Sequence, residues 1–211
     1  VEYHSCRSGA IKLMRTVCVG LEAWFAFRLT AGMTSIDPSS IEIRFASPAD
    51  CEALSEIGRE TFTRKFGHLY SAENLSKFLE EDHAISAYEQ QIADPAIGVW
   101  KALDTKTGRM IGYAVGARKC LLPADNVPER AGEVKRLYLR DEAQSSGLGA
   151  KMLKLMLDWI QVDGPCPVYL SVYKYNDGAQ RFYDRFGFSK HKEYEFMVGD
   201  HADPEYIFMR P

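Results

Sequence analysis

The chain contains no pair of cysteines at Cys-x-x-Cys spacing, the signature of a zinc ribbon or a thioredoxin-like redox site. Its five cysteines (Cys6, Cys18, Cys51, Cys120 and Cys166) are scattered and odd in number. That argues against a disulfide framework and for a reducing, cytoplasmic setting. The five histidines, His4, His68, His83, His191 and His201, form no ligand-spaced pair on one helix, so no metal is expected. Charge of one sign is also missing: 26 Lys and Arg stand against 29 Asp and Glu, a net −3. Nothing marks the whole chain as a partner for nucleic acid. Nor is there a long hydrophobic run. Residues 16–27 are apolar (Val17, Val19, Leu21, Trp24, Phe25, Phe27) behind Lys12 and Arg15, but Glu22 interrupts the run and Arg28 closes it. It is too short to span a bilayer, and no membrane partner is expected. Residues 1–40 allow three readings: a docking helix, a short interface segment, or a leader outside the functional protein. The last is adopted here, with Met33 as the true start, and no function is placed on this segment.

What is present is an ordinary globular composition, 46% hydrophobic and 26% charged over 211 residues, enough for one domain with a sizeable core. Alternation over 41–46 predicts a strand. Ser47-Pro48 offers an N-cap followed by proline, with Asp50 and Glu52 behind it, so a helix is expected to Phe66 with Leu54, Ile57, Thr61 and Phe62 inward. Ser71 caps a second helix (Leu75, Phe78, Leu79), and Ile85, Tyr88 and Ile92 mark a third that Pro95 ends. Strands are expected at 96–103 and 109–120 around a hairpin turn at 104–108. A loop with Pro123 and Pro128 leads to a strand at 132–139, a polar loop and an amphipathic helix over 147–162. The inward stripe of that helix is expected to be Leu148, Met152, Leu155, Met156, Trp159 and Ile160. A strand at 167–173, a short helix at 176–186 and strands at 188–198 and 206–209 close the chain. There is no internal repeat. This order indicates an α/β (α+β) fold, a mixed sheet with helices packed on it.

The run Gln144-Ser145-Ser146-Gly147-Leu148-Gly149-Ala150 directly follows a strand and opens a helix. A helix start presents unpaired N–H groups and the positive end of the dipole, and glycines let a phosphate reach the backbone. Lys151 and Arg140 are expected to add positive charge. The alternative for these glycines is plain chain-turning and close helix packing. A dinucleotide-binding unit does not match, since it needs three glycines and a ribose-binding acid.

Gln-x-x-Gly-x-Gly after a strand ending Leu137-Tyr138-Leu139, followed by Asn176 and Phe182-Tyr183-Asp184-Arg185-Phe186-Gly187-Phe188, resembles the two signatures of the GNAT acetyltransferases, in the right order. The resemblance spans 41–210 and makes 41–211 the expected catalytic domain. It implies a mixed, mostly antiparallel, twisted sheet flanked by helices, and direct acetyl transfer from acetyl-CoA to a primary amine without a metal. It further implies that the backbone of Leu137, Tyr138 and Leu139 pairs with the pantetheine arm. The amides of Gln144, Ser145, Ser146, Gly147, Leu148, Gly149 and Ala150 would wrap the pyrophosphate, and Asn176 would hydrogen-bond the pantetheine. Tyr183 would protonate the departing thiolate, a donor the chemistry requires; its alternative is a core tyrosine. Glu133, at the start of the Glu-x-x-x-Leu-Tyr strand, looks like the family's water-relaying base. Its alternative is a strand-start carboxylate paired with Lys135 or Arg136. Plain alternation would put Glu133 on the same face as Leu137, unless a bulge intervenes. Cys120 and Cys166 read as buried or loop thiols rather than nucleophiles.

Within the family, Glu60-Thr-Phe62, Phe196-Met-Val-Gly199-Asp200 and the ending Met209-Arg210 are similar to PaiA-type polyamine acetyltransferases. The acceptor implied is a small amine, a polycation that the acidic stretch Glu73, Glu80, Glu81, Asp82 could attract; otherwise that stretch is a solvated helix face. Protein N-terminal or lysine acetylation, and CoA binding without turnover, are the competing functions. The resemblance leaves a homodimer open.

Overall fold

The computed structural model describes residues 36–211, so all but the last five residues of the segment 1–40, and the reading placed on it, lie outside them. Strand β1 (Ile41–Phe45) is followed by a capping box, in which the Ser47 amide and hydroxyl both bond Asp50 at 2.8 Å. That box starts helix α1 (Cys51–Phe66), which buries Leu54, Ile57, Thr61 and Phe62. Helix α2 (Ala72–Asp82) is capped by the Ser71 side chain, and α3 (Ile85–Ala93) ends before Pro95. The β2–β3 hairpin (Ile97–Asp104, Met110–Ala117) leads through a long loop to β4 (Gly132–Leu139). Then come α4 (Leu148–Ile160), β5 (Val168–Tyr173), α5 (Asp177–Asp184), β6 (Ser189–Val198) and β7 (His201–Arg210).

The seven strands form one sheet in the order β1-β2-β3-β4-β5-β7-β6. Every neighbouring pair is antiparallel except β4–β5, whose parallel pairing needs the crossover through α4. One face of the sheet packs against α4 and α5, with Val134, Leu137, Leu139, Leu170 and Val172 in that core. The other face packs against α1, α2 and α3 through Val99, Tyr113, Val115, Tyr138 and Phe196.

Three expectations change. The inward stripe of α4 is Leu148, Met152, Leu153, Met156, Leu157 and Ile160, while Leu155 is exposed. Strand β3 stops at Ala117 rather than Cys120, because the next segment leaves the sheet to place the Leu121 amide on Glu133. Strand β7 begins at His201 rather than 206, running through Pro204. A proline lacks the N–H of a ladder residue, but the Pro204 carbonyl still accepts from the Lys174 amide at 2.9 Å.

Candidate active site

β4 and β5 are joined only at their starts, by the register pairs Gly132–Val168, Glu133–Tyr169 and Val134–Leu170. Among the described residues no strand pairs with the 135–139 stretch of β4 on that edge. The pairing stops at a β-bulge: Val115 stands opposite Arg136 and Gly116 opposite Val134, so Lys135 is the extra residue. The result is a wedge in the sheet whose wall carries main-chain hydrogen-bonding groups of Leu137 and Leu139, while Tyr138 opposite Tyr113 turns its own toward β3.

From Leu139 the chain turns through 140–147 into α4. Ser145 and Gly147 take positive φ, 59° and 82°. Ser146 Oγ donates to the Ala143 carbonyl at 2.6 Å and accepts from the Leu148 amide at 3.3 Å. Gln144 Nε2 donates to Asp141 Oδ1 at 3.0 Å, which holds the loop's other side. By position, the first-turn amides of Leu148, Gly149 and Ala150 have no carbonyl four residues back within the helix. A Cβ on Gly147 would meet nothing within 4 Å, and one on Gly149 would sit 3.5 Å from Leu139 and 3.8 Å from Phe182. The protein's own packing therefore requires neither glycine. Backbone conformation requires the first, and the space over the second suits an approaching phosphate. This loop fits a pyrophosphate group.

Arg140 does not contribute its charge there. It is buried and turned toward α1, with Nη2 3.0 Å from Glu56, Nη1 bonded to Glu60 and Nε donating to the Met110 carbonyl at 3.1 Å. Two carboxylates on α1 neutralise it, whereas Lys151 on the first turn of α4 is exposed.

Asn176 is the N-cap of α5, its Oδ1 accepting from the Ala179 amide at 3.3 Å. Tyr183, further along α5, is fully buried with its ring 5.2 Å from Phe182 and 5.7 Å from Phe188. It belongs to the same apolar cluster as Leu137, Leu139 and Leu148. The structure thus brings the wedge, the start of α4 and Tyr183 together on one face of the sheet.

Glu133 lies on the opposite face from Leu137, because the bulge at Lys135 reverses the alternation between them. Its Oε1 is 3.0 Å from Lys135 Nζ, and its Oε2 accepts from the Leu121 amide at 2.9 Å. Cys120 lies close by; burial first, then the Glu133 charge, pushes its thiol up to about 12, so it stays protonated at neutral pH.

On that face a cavity of about 380 Å³ opens between α2 and β6. Glu81 and Asp82 of α2, Glu195, Tyr194 and Phe196 of β6, and Pro123 contribute to its walls. Glu73 and Glu80 are exposed and away from it, so the acidic stretch divides into a lining half and a solvated half. Lys77 at the wall, and Arg136 with its guanidinium donating to the Asp82 carbonyl at 2.7 Å, partly offset the acids. Next to the cavity, Tyr194, Ser171 and Glu205 form a hydrogen-bonded cluster that sequence reasoning missed. The signal available was the alternation Asp203, Glu205, Ile207, which puts two acids in phase with a core isoleucine.

Among the described residues no group of three or more His, Cys, Asp or Glu side chains could hold a metal ion, and no helix is long and apolar enough to cross a membrane.

Residues 59–188 match the model of the acetyltransferase (GNAT) family. An uncharacterised N-acetyltransferase of Lactobacillus delbrueckii subsp. lactis is 26% identical over 174 residues, 82% of this chain and 98% of that protein. The spermine/spermidine N(1)-acetyltransferase of Bacillus subtilis is 33% identical over 92 residues, 42% of this chain and 59% of that protein. In fold, the chain is similar to the crystal structure of PaiA N-acetyltransferase from Thermoplasma acidophilum in complex with coenzyme A. That likeness has a TM-score of 0.63 at 23% identity and covers 81% of this chain and 98% of that one. The chain belongs to the GNAT family, and it is an N-acetyltransferase that takes acetyl-CoA as its acetyl donor.

Proposed function

We propose that this enzyme acetylates a primary amine of a small polycation, a polyamine or a close relative. The observation that carries the reading is the cavity between α2 and β6, where Glu81, Asp82 and Glu195 surround an aromatic wall of Tyr194 and Phe196. Carboxylates attract an ammonium, and aromatic faces accept both its charge and its methylene chain. The partial likeness to the Bacillus subtilis spermine/spermidine enzyme supports the same class of acceptor.

Bound acetyl-CoA supplies an activated thioester. In this reading the amides from Gln144 to Ala150 hold its pyrophosphate, and Lys151 adds charge nearby. The main chain of Leu137 and Leu139 lines the pantetheine path, with Asn176 beside it. Tyr183 gives its phenolic proton to the departing sulfur. The amine's own proton leaves toward a carboxylate on the cavity face of the sheet, where Glu133 and Glu205 both lie.

An acceptor panel with acetyl-CoA tests the proposal: spermidine, spermine, an aminoglycoside and peptides with free N-termini. Turnover is expected on the polyamines. Glu81→Gln should raise the KM for spermidine by about 10-fold, the loss of one charge-assisted contact, without changing the KM for acetyl-CoA. Turnover confined to peptides would overturn the reading.

A further inference from the structure

An ammonium must lose a proton before its nitrogen can attack. The cavity face of the sheet holds a chain of groups suited to receive it. Ser171 on β5 is the first residue past 168–170, where pairing with β4 ends, so it stands at the root of the wedge. Its Oγ donates to Glu205 Oε2 on β7. Tyr194 on β6 lines the cavity, and its hydroxyl donates to Ser171 Oγ at 2.7 Å with Glu205 Oε2 at 3.1 Å. Three strands thus converge on one carboxylate, and Ser171 and Glu205 are both buried.

Burying a carboxylate in a sheet is costly, and β-branched residues at these three positions would build the same strands. The polar chain therefore points to use. Its members suit a relay, because a hydroxyl can accept a proton on one side while donating on the other. Burial, and then the Glu205 charge, push the Tyr194 phenol well above its ordinary range. Tyr194 accordingly keeps a proton at neutral pH and can pass one along. Glu133 is less suited: an ion pair and a main-chain amide hold its two oxygens, and protonation would break the pair.

We infer that Tyr194, Ser171 and Glu205 form the route by which the acceptor's ammonium proton leaves the cavity, with Glu205 as its destination; this rests on the amine-acetylation reading above. The ammonium proton passes to the Tyr194 oxygen as the tyrosine's proton moves to Ser171 Oγ and the serine's proton to Glu205 Oε2. The amine becomes neutral, both hydroxyls regain what they gave, and Glu205 ends as a carboxylic acid. Over one turnover an ammonium and a thioester yield an amide, a thiol and one proton, which Glu205 passes back along the two hydroxyls to water in the cavity once the product has left.

The test uses the full chain and two acceptors at pH 8: spermidine, and a spermidine analogue fluorinated beside its primary amines so that these are largely neutral. Glu205→Gln and Tyr194→Phe should each lower kcat on spermidine by about 10²-fold. Acetyl-CoA affinity by calorimetry and the melting temperature should stay near wild type for Tyr194→Phe, which keeps the ring. With the fluorinated amine, which has no ammonium proton to shed before it attacks, the deficit should largely vanish. An equal deficit on both amines would reveal a purely structural role and overturn the relay. So would amine-dependent rescue in Glu133→Gln in place of these variants. Should Glu205→Gln fail to fold, the comparison of the two amines in Tyr194→Phe decides by itself. Wild-type enzyme that acetylates neither amine overturns the functional reading and the relay with it, whereas wild-type turnover with unimpaired variants overturns the relay alone.

Discussion

Glu133 and Lys135 form a buried ion pair within a single strand, Oε1 to Nζ 3.0 Å, with side chains 0% and 4% exposed. The bulge makes this geometry. It places Glu133, Lys135 and Arg136 on the α1–α3 face, while Val134 and Leu137 face α4. Because Glu133 also accepts from the Leu121 amide, the pair ties the root of the wedge to the loop between β3 and β4.

Lys135→Met should therefore be severe. It leaves a buried carboxylate without its cation, a loss of about 3–5 kcal/mol for pairs of this kind. Urea unfolding should show it, and the Leu121 amide should exchange faster with solvent. The double variant Glu133→Gln/Lys135→Met should recover part of the loss. A cost near that of a surface substitution in Lys135→Met would mean that solvent reaches the carboxylate and that the pair does not hold the bulge.

At the start of α4, stability and ligand binding should separate. An alanine at 149 makes only ordinary contacts, 3.5 Å to Leu139 and 3.8 Å to Phe182, and helix propensity favours it over glycine by about 1 kcal/mol. Gly149→Ala is expected to melt at or above the wild-type temperature yet bind acetyl-CoA more weakly, and Gly149→Trp more weakly still. Calorimetry on both variants is the measurement. Unchanged affinity in Gly149→Trp would remove this loop from the cofactor site.

How legible all this was depended on how local the cause is. The loop from Gln144 to Gly149 could be read because a strand end, two glycines and a helix start are contiguous. The face of α4 could not, since Leu153, Leu155, Leu157 and Trp159 are apolar all round the helix and only tertiary packing selects among them. The reversal at Glu133 comes from one bulged residue, and nothing in a run such as Glu133-Val-Lys-Arg136 marks which residue is extra. The cavity joins α2, a loop and β6, the two outer elements more than 100 positions apart in the chain, so no window of sequence contains it. Glu205 was hidden by its neighbour Pro204, which reads as the end of a strand rather than its middle.

His83 should make the protein acid-sensitive well above the carboxylate range. It is fully buried, and burial, then the charges of Arg136 and Arg59, hold its imidazole well below the usual value of 6.5. The unfolded chain takes up this proton below about pH 6.5 while the native chain does not. The stabilisation is thus complete above that pH and declines as the pH falls toward the depressed native value. The slope approaches about 1.4 kcal/mol per pH unit for one proton. Urea unfolding between pH 7 and 5 reads the slope directly, before most carboxylates titrate. His83→Gln, which lacks the titrating ring, should flatten the curve by one proton; an unchanged slope would assign the acid sensitivity elsewhere.

Tyr183 combines two demands that one substitution can pull apart. Its ring fills the space between Phe182 and Phe188 in the α4-side core, and its hydroxyl is the phenol that the α5 motif carries on the wedge side of the sheet. Tyr183→Phe keeps the ring and removes the acid. If the hydroxyl protonates the leaving sulfur, kcat should fall by about 10²-fold with acetyl-CoA affinity nearly intact, the pattern of an interaction made chiefly in the transition state. If the residue is only core, the rate should hold and any change should appear as lost stability from the hydroxyl's former partner. Rate constants on the best acceptor and a melting curve on the same preparation distinguish the two. Wild-type turnover in Tyr183→Phe would assign the proton to another donor and leave Tyr183 as a packing residue.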